Sequence, residues 1–152
     1  MAEGDVQKIT DRLRRLCSRR EYCTSDILKK AVTALDGDKE AAAKVLEALV
    51  SEKYVDDFRY ATAYAREKAM IAGWGETKIR YMLSAKRIDR SLVDQALTEI
   101  DAGKADSRLQ KLLENKAKIL KADPQIRLKL LRFALGRGYQ YDDVVRVLQD
   151  IL

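Results

Sequence analysis

Three stretches of eight residues, AAKVLEAL at 42–49, VDQALTEI at 93–100 and VVRVLQDI at 144–151, lie 51 residues apart. Each has apolar residues at its first, fourth, fifth and eighth positions, which is the spacing of one buried helix face. A second set of apolar positions recurs at the same interval: Leu28, Ile79 and Leu130; Ala31, Met82 and Phe133; Val32, Leu83 and Ala134. Two helix faces that keep their phase through three copies predict three tandem repeats.

The middle copy predicts three helices. The first is expected to begin at Asp56 and Asp57, because carboxylates cap helix N-termini and suit the positive end of the helix dipole. The two glycines of Gly73-Trp74-Gly75 favour its end, and Trp74 is interpreted as a packing residue at this break. The second helix is predicted over about residues 76–87, and Asp89 is expected to cap the third.

Apolar residues of the middle copy are assigned to the inward faces of these helices. They are Phe58, Ala61, Ala65, Ile79, Met82, Leu83, Val93, Ala96, Leu97 and Ile100. In the third copy, Asp123 and Pro124 are predicted to be the N-cap and a first-turn proline. The second helix of that copy is expected to end at Gly136-Arg137-Gly138.

No stretch alternates convincingly between apolar and polar residues, so the predicted fold is all-α, with three tandem three-helix repeats. The candidate boundaries give repeats at 1–57, 58–106 and 107–152. Small helical units bury little apolar surface alone, and stacking them is expected to form one continuous core and an elongated, curved body.

The composition argues against an enzyme. The chain has 152 residues and no histidine, which excludes Ser-His-Asp and Cys-His mechanisms and most zinc sites. It contains no phosphate-binding loop and no dinucleotide-binding motif. We therefore expect no catalytic residue, no cofactor and no metal. Cys17 and Cys23 are predicted to be reduced thiols with a packing role.

The polar start of the chain, Met1 to Asp5, predicts no signal peptide. The most apolar stretch, residues 41–50, is interrupted by Lys44 and Glu47, so no membrane-spanning helix is predicted. These features favour a cytoplasmic protein, which we expect to be a monomer.

The net charge of +6 is unevenly distributed. The three predicted repeats carry −1, +2 and +5 in chain order. A helix predicted over residues 6–20 would align Lys8, Arg12, Arg15 and Arg19 along one flank. That stripe is either a solvated helix surface or a contact for phosphates or an acidic protein surface.

Two motifs resemble the RecX family of regulatory proteins. One begins with the run from Tyr54 to Ala61, which contains Asp56-Asp57-Phe58, and continues through Tyr64-Ala65-Arg66 and Gly73-Trp74-Gly75. The other runs from Phe133 to Tyr139 and is followed by Val144, Val147 and Leu148. The resemblance covers about residues 6–152 and implies three three-helix repeats in a curved, right-handed arrangement.

The resemblance also implies a function. RecX proteins are non-catalytic negative regulators of the RecA recombinase. They bind in the groove of the RecA–DNA filament, hinder its extension, and lower its ATPase, strand-exchange and coprotease activities. The candidate contacts to RecA or DNA are basic residues from all three repeats: Arg12, Arg15, Arg19, Arg66, Lys78, Arg80, Arg87, Arg132 and Arg137.

Two other functions fit the same residues. The first is direct DNA binding of the helix-turn-helix type, although residues 91–100 lack Lys and Arg, which a recognition helix normally supplies. The second is a helical-repeat adaptor for an unrelated protein. Sequence-preferring DNA binding without RecA would indicate the first, and no effect on RecA with little salt dependence would indicate the second.

Overall fold

The computed structural model describes residues 3–100 and 102–152. Met1 and Ala2, on which part of the signal-peptide prediction depends, lie outside the described residues. Within the described ranges the helices are α1 Glu3–Cys17, α2 Thr24–Ala34, α3 Lys39–Ser51, α4 Asp57–Met70, α5 Glu76–Ala85, α6 Arg90–Thr98, α7 Ala102–Ile119, α8 Ile126–Gly136 and α9 Tyr141–Ile151.

These helices form three tandem three-helix repeats: α1–α3, α4–α6 and α7–α9. Contacts between helices fall chiefly within a repeat, and the described residues contain no β-strand. The predicted all-α class and repeat organisation are therefore confirmed. None of the described helices is both long enough and apolar enough to cross a membrane.

The buried side chains form three separate clusters, one centred in each repeat. Leu49, Leu83 and Leu130 each lie fully buried in a different cluster. The expectation of one continuous core is therefore wrong. Each repeat covers most of its own apolar face with three helices. Polar and backbone contacts join neighbouring repeats, together with a few apolar side chains such as Cys23.

The joint between the second and third repeats is made by backbone. Gly75 donates its N–H to the carbonyl of Arg137 over 2.8 Å, and Thr77 donates to the carbonyl of Gly138 over 3.0 Å. A Cβ on Gly75 would lie 2.5 Å from the Gly138 oxygen, and one on Gly138 would lie 2.3 Å from Lys78 Cβ. The two helix ends approach this closely because both positions lack a side chain.

The joint between the first and second repeats relies more on side chains. The carboxylate of Asp57 accepts hydrogen bonds from the N–H and the hydroxyl of Thr24, over 2.7 and 2.8 Å. Ser25 donates to the carbonyl of Lys86 over 2.6 Å. Cys23 is fully buried against the core of the second repeat, and burial raises the pKa of its thiol.

Three helix starts were predicted from acidic caps, and the structure confirms these caps only in part. Asp56 caps α4 by accepting from Arg59 N–H over 2.9 Å, as expected. Asp57 instead satisfies the first N–H of α2, in the neighbouring repeat. Asp89 occupies the N-cap position of α6 without a side-chain cap bond. Pro124 precedes α8 in a turn, where Asp123 accepts from Gln125 N–H.

Several inward-facing assignments are also wrong. Phe58 is only half-buried and belongs to none of the three clusters, whereas Tyr60 is buried in the second. Met82 and Leu28 are both 36% exposed. These two residues line a groove between α2 and α5, where adjacent repeats meet. Their equivalents Ile79, Leu130 and Ala31 are buried in the cores, so the repeated pattern marks core positions with exceptions at this joint.

The predicted second helix of the middle repeat ends two residues early, at Ala85. Arg87 has φ +60°, and the positions 51 residues before and after it, Asp36 and Gly138, have φ +54° and +95°. The same left-handed position therefore follows the second helix in every repeat. The boundary predicted after Asp57 falls one residue into α4, and the one predicted after Asp106 falls within α7.

We expect Gly75→Ala to lower the free energy of unfolding by about 2 kcal/mol, because overpacking a close contact commonly costs about 1–3 kcal/mol. Gly136→Ala is the matched control, since a Cβ there meets nothing within 4 Å. Its stability should stay equal or rise by up to about 1 kcal/mol. Urea unfolding followed by circular dichroism measures both, and equal effects of the two variants would contradict this account of the joint.

Candidate functional site

A cleft between α1 and α2 gathers unpaired positive charge. We call it the basic cleft and define it by six exposed cations that line two adjoining depressions: Arg12, Arg15, Arg19, Arg20, Lys29 and Lys30. Its floor includes Leu13, Leu16 and Ala34. Arg12 and Arg15 share a flank of α1 because they are three residues apart. The helix predicted over residues 6–20 ends at Cys17, so Arg19 and Arg20 lie in the turn that follows α1.

None of these six cations forms an ion pair with a carboxylate in the described part of the chain. Arg14, one residue away, pairs with Asp11 at 2.6 Å and with Glu52 at 2.9 Å. The two acceptors of Arg14 lie on its own face of α1 and at the end of α3, away from the basic cleft. The cleft therefore presents charge that is available to an external anion.

Tyr22 stands among these cations. The guanidinium carbon of Arg20 lies 4.7 Å from the centroid of its ring, and Lys30 Nζ lies 5.5 Å from it. The negative face of an aromatic ring attracts cations, so these contacts hold both side chains beside the cleft without neutralising them.

One ion pair closes the cleft on the side of the second repeat. Lys86 Nζ donates to Asp26 Oδ1 over 2.8 Å. Burial alone would raise the pKa of the Asp26 carboxyl, but hydrogen bonds from Lys86 and Cys23, with the Lys86 charge, hold that pKa below its ordinary value. The hydrogen bond to Asp26 raises the pKa of Lys86. The pair also ties the first repeat to the second.

The predicted contact residues of the second repeat differ in whether their charges already have a partner within the chain. Arg66 is exposed and pairs with Glu99 at 3.4 Å. Arg80 is held by Asp94 at 2.5 Å and Glu76 at 3.0 Å, and these bonds raise its pKa. Lys78 is half-buried, with Nζ 4.4 Å from the centroid of Trp74. Arg87 is exposed and makes no ion pair among the described residues.

The two predicted contact residues of the third repeat also differ. Arg132 is exposed and has no ion pair within the described ranges. Arg137 donates to the Ala72 carbonyl over 3.0 Å and lies 5.1 Å from the ring of Phe133. Its main role is therefore to hold the joint with the second repeat.

Trp74 is half-buried and packs on the core of the second repeat, in the packing role predicted for it. The Tyr64 ring meets it edge-on at 6.3 Å. Lys68 and Lys78 lie 4.9 and 4.4 Å from its ring centroid. Gly73, with φ +72°, allows the turn that brings Trp74 into this position.

Sequence reasoning missed three members of the basic cleft: Arg20, Lys29 and Lys30. The adjacent pair Lys29-Lys30 on α2 was a signal, but the first repeat has a net charge of −1, which hid the local excess. The structure brings α1 and α2 side by side, and the acidic residues of this repeat lie mostly on other faces.

A small cavity of about 190 Å³ lies at the joint between the second and third repeats. Trp74, Ile79 and Tyr139 line it, with the carboxylates of Glu76 and Asp143. Its volume is below the roughly 300 Å³ at which small-molecule sites commonly begin. The basic cleft is therefore the stronger candidate for a functional surface.

Comparison with known proteins identifies the family. Residues 56–97 match the model described as the second three-helix domain of RecX, and residues 105–148 match the third. A regulatory protein RecX from Vibrio campbellii is 32% identical over 131 residues, which cover 85% of this chain and 82% of that protein. The chain belongs to the RecX family.

Other RecX proteins differ in length. The regulatory protein RecX of Clostridium tetani is 34% identical over 119 residues, which cover 76% of this chain. The match spans only 54% of that protein, about half its length. The crystal structure of RecX from Lactobacillus salivarius has the same fold, with a TM-score of 0.86 at 20% identity over 98% of this chain and 97% of that one.

We expect the Asp26–Lys86 pair to make stability depend on pH. Because the folded-state pKa of Asp26 is depressed, the pair's contribution is complete above the ordinary carboxyl pKa. It is lost as the pH falls through the folded-state value. Asp26→Asn should be less stable than the parent by about 1 kcal/mol or less at pH 7, and the difference should shrink from about pH 4 downwards.

Glu47→Gln is the control for this measurement, because Glu47 is exposed on α3 and makes no ion pair among the described residues. Chemical unfolding at several pH values between 3 and 7 compares the three proteins. A parent-to-Asp26→Asn difference that is constant over this range would contradict the assignment of the pair.

Proposed function

We propose that this RecX-family chain is a negative regulator of the RecA recombinase. It would bind in the groove of the RecA–DNA filament, hinder filament growth, and lower ATPase, strand-exchange and coprotease activity. Family membership supports the choice of partner, and the unpaired cations of the basic cleft supply the single structural observation that carries the proposal. It would act by binding, as a cytoplasmic monomer, with no chemistry of its own.

The charge pattern ranks the proposed contact residues. Arg12, Arg15 and Arg19 are placed first, because their charges are exposed and unpaired within the described residues. Arg87 and Arg132 share those properties. Arg66, Lys78, Arg80 and Arg137 remain in the proposed surface, but each already contacts a carboxylate, an aromatic ring or a carbonyl.

Such a surface suits a filament that presents both phosphates and acidic protein side chains. Cations that neutralise phosphates release counterions, so their contribution weakens as salt rises. Electrostatic complementarity also speeds association and suppresses wrong partners. We therefore expect inhibition of RecA by this chain to decline as ionic strength increases.

The helix-turn-helix alternative is less favoured by the third helices. Arg146 on α9 is engaged by Asp106 at 2.9 Å and Asp143 at 3.1 Å. In α6 the basic residue is Arg90, at the first position of the helix. Neither helix presents the set of Arg, Lys, Asn or Gln side chains that reads base edges in the major groove.

The test is the DNA-dependent ATPase of RecA with substoichiometric amounts of this protein. The variant R12Q/R15Q/R19Q should need about tenfold more protein for the same inhibition. This follows if removing three charges costs about 1.4 kcal/mol of binding, which is a factor of ten. Its inhibition should also fall less steeply with salt, because fewer counterions are displaced.

The matched control is K39Q/K44Q/K53Q, which removes the same charge from exposed lysines of the first repeat that do not line the basic cleft. It should inhibit like the parent. No inhibition by the parent at any dose would reject RecA as the partner. Equal weakening by both triple variants would instead show that net charge, and not the cleft, is responsible.

A further inference from the structure

The outward side of α8 carries an apolar stripe. Leu128 and Leu135 are 40% and 41% exposed, while Leu130 and Ala134 on the opposite side of the helix are fully buried. Because a helix turns about 100° per residue, Leu131 falls within about 60° of these two exposed leucines. We call Leu128, Leu131 and Leu135 the leucine stripe.

Leu131 packs in part on the core of the third repeat, whereas Leu128 and Leu135 belong to none of the three clusters. The positions 51 residues earlier, on α5, are Thr77, Arg80 and Ser84. On α2 they are Asp26, Lys29 and Thr33. None of these six polar residues is buried, and both helices still pack in their repeats. A helix that is apolar on both sides is typical of a buried helix, yet the outer side of α8 faces solvent.

Positive charge borders the leucine stripe. Arg132 lies about 40° around the helix from Leu128 on one side, and Arg127 lies about 100° from it on the other. Both arginines are exposed and form no ion pair in the described part of the chain. Lys129 is less available, because it pairs with Asp123. The face therefore combines an apolar centre with cationic edges.

We propose that the leucine stripe is a docking surface for a protein partner that presents an acidic amphipathic helix. The apolar side of such a helix would cover Leu128, Leu131 and Leu135, and its carboxylates would meet Arg127 and Arg132. Helices that lay an apolar face on an apolar groove or stripe are a recurring mode of recognition. The inference is carried by α8 alone and does not depend on RecA being the partner.

The same chemistry argues against other occupants. A second copy of this face would bring Arg127 and Arg132 against like charges, which disfavours association. Single-stranded nucleic acid gains affinity by stacking bases on aromatic rings, and the stripe has none. A lipid surface is less favoured, because membrane-surface helices use a broader apolar face than two exposed leucines and one half-buried one.

The experiment uses the whole chain and a fluorescein-labelled synthetic peptide of about 18 residues. Leu occupies one face of the peptide at helical spacing and Glu fills the remaining positions. Fluorescence anisotropy measures its affinity. The variant L128Q/L135Q should bind it about tenfold more weakly than the parent, which corresponds to losing two partly buried leucine contacts. R127Q/R132Q should also bind more weakly, and more so at low salt.

Two controls distinguish binding at the leucine stripe from nonspecific binding of the peptide. The variant V50Q/I71Q removes exposed apolar side chains elsewhere (Val50 is 44% and Ile71 is 83% exposed) and should bind like the parent. A second peptide with Lys in place of Glu should bind at least tenfold more weakly than the acidic one. These variants place Gln, a good helix former, at exposed positions, so we expect the fold to be kept. Circular dichroism checks this.

Five outcomes would overturn the proposal. The acidic peptide could fail to bind, or could bind L128Q/L135Q as well as it binds the parent. The basic peptide could bind as tightly as the acidic one. The parent, but not L128Q/L135Q, could co-sediment with phosphatidylglycerol vesicles, which would make the stripe a lipid contact. Sedimentation could show a dimer that this variant abolishes, which would make it a self-interface.

Discussion

The contact between the start of one repeat's second helix and the end of the next repeat's second helix holds this molecule together. Each repeat has its own core, so these two joints determine how the repeats are oriented. Between the second and third repeats the contact is backbone on backbone, and it requires glycine at 75 and 138. Between the first and second, side chains make it: Ser25 donates to the Lys86 carbonyl, and Lys86 pairs with Asp26. Asp57, at the start of α4, adds a second contact by accepting from Thr24.

The joints also decide which cations are free. Lys86 and Arg137 occupy equivalent positions, 51 residues apart, and each reaches back to the preceding repeat, one to Asp26 and the other to the Ala72 carbonyl. Their charge is used inside the molecule. The six cations of the basic cleft form no ion pair among the described residues, so their charge stays available at the first repeat. On α8, an apolar face stays exposed.

Much of the fold could be predicted from the sequence pattern, because helix periodicity, caps and breaks depend on residues that are close in sequence. The three copies, the cap at Asp56 and the break at Gly73-Trp74-Gly75 depend on residues within one turn of each other, and all are present. The partner of Asp57 could not be predicted, since Thr24 lies 33 residues away in another repeat. Met82 was assigned to the core because an apolar residue at a joint between repeats has the same helical spacing as one in a core.

The sequence by itself determined the helical class, the threefold repeat and the family, because these follow from spacing and from motifs within single helices. Only the tertiary structure decided which charges are available. Arg80 has Glu76 one helical turn before it, a pairing that the sequence could predict, but its bond to Asp94 joins α5 to α6. Arg12 has no carboxylate partner among the described residues. Ion pairing depends on a few ångströms between side chains, and those distances exist only once the helices have packed.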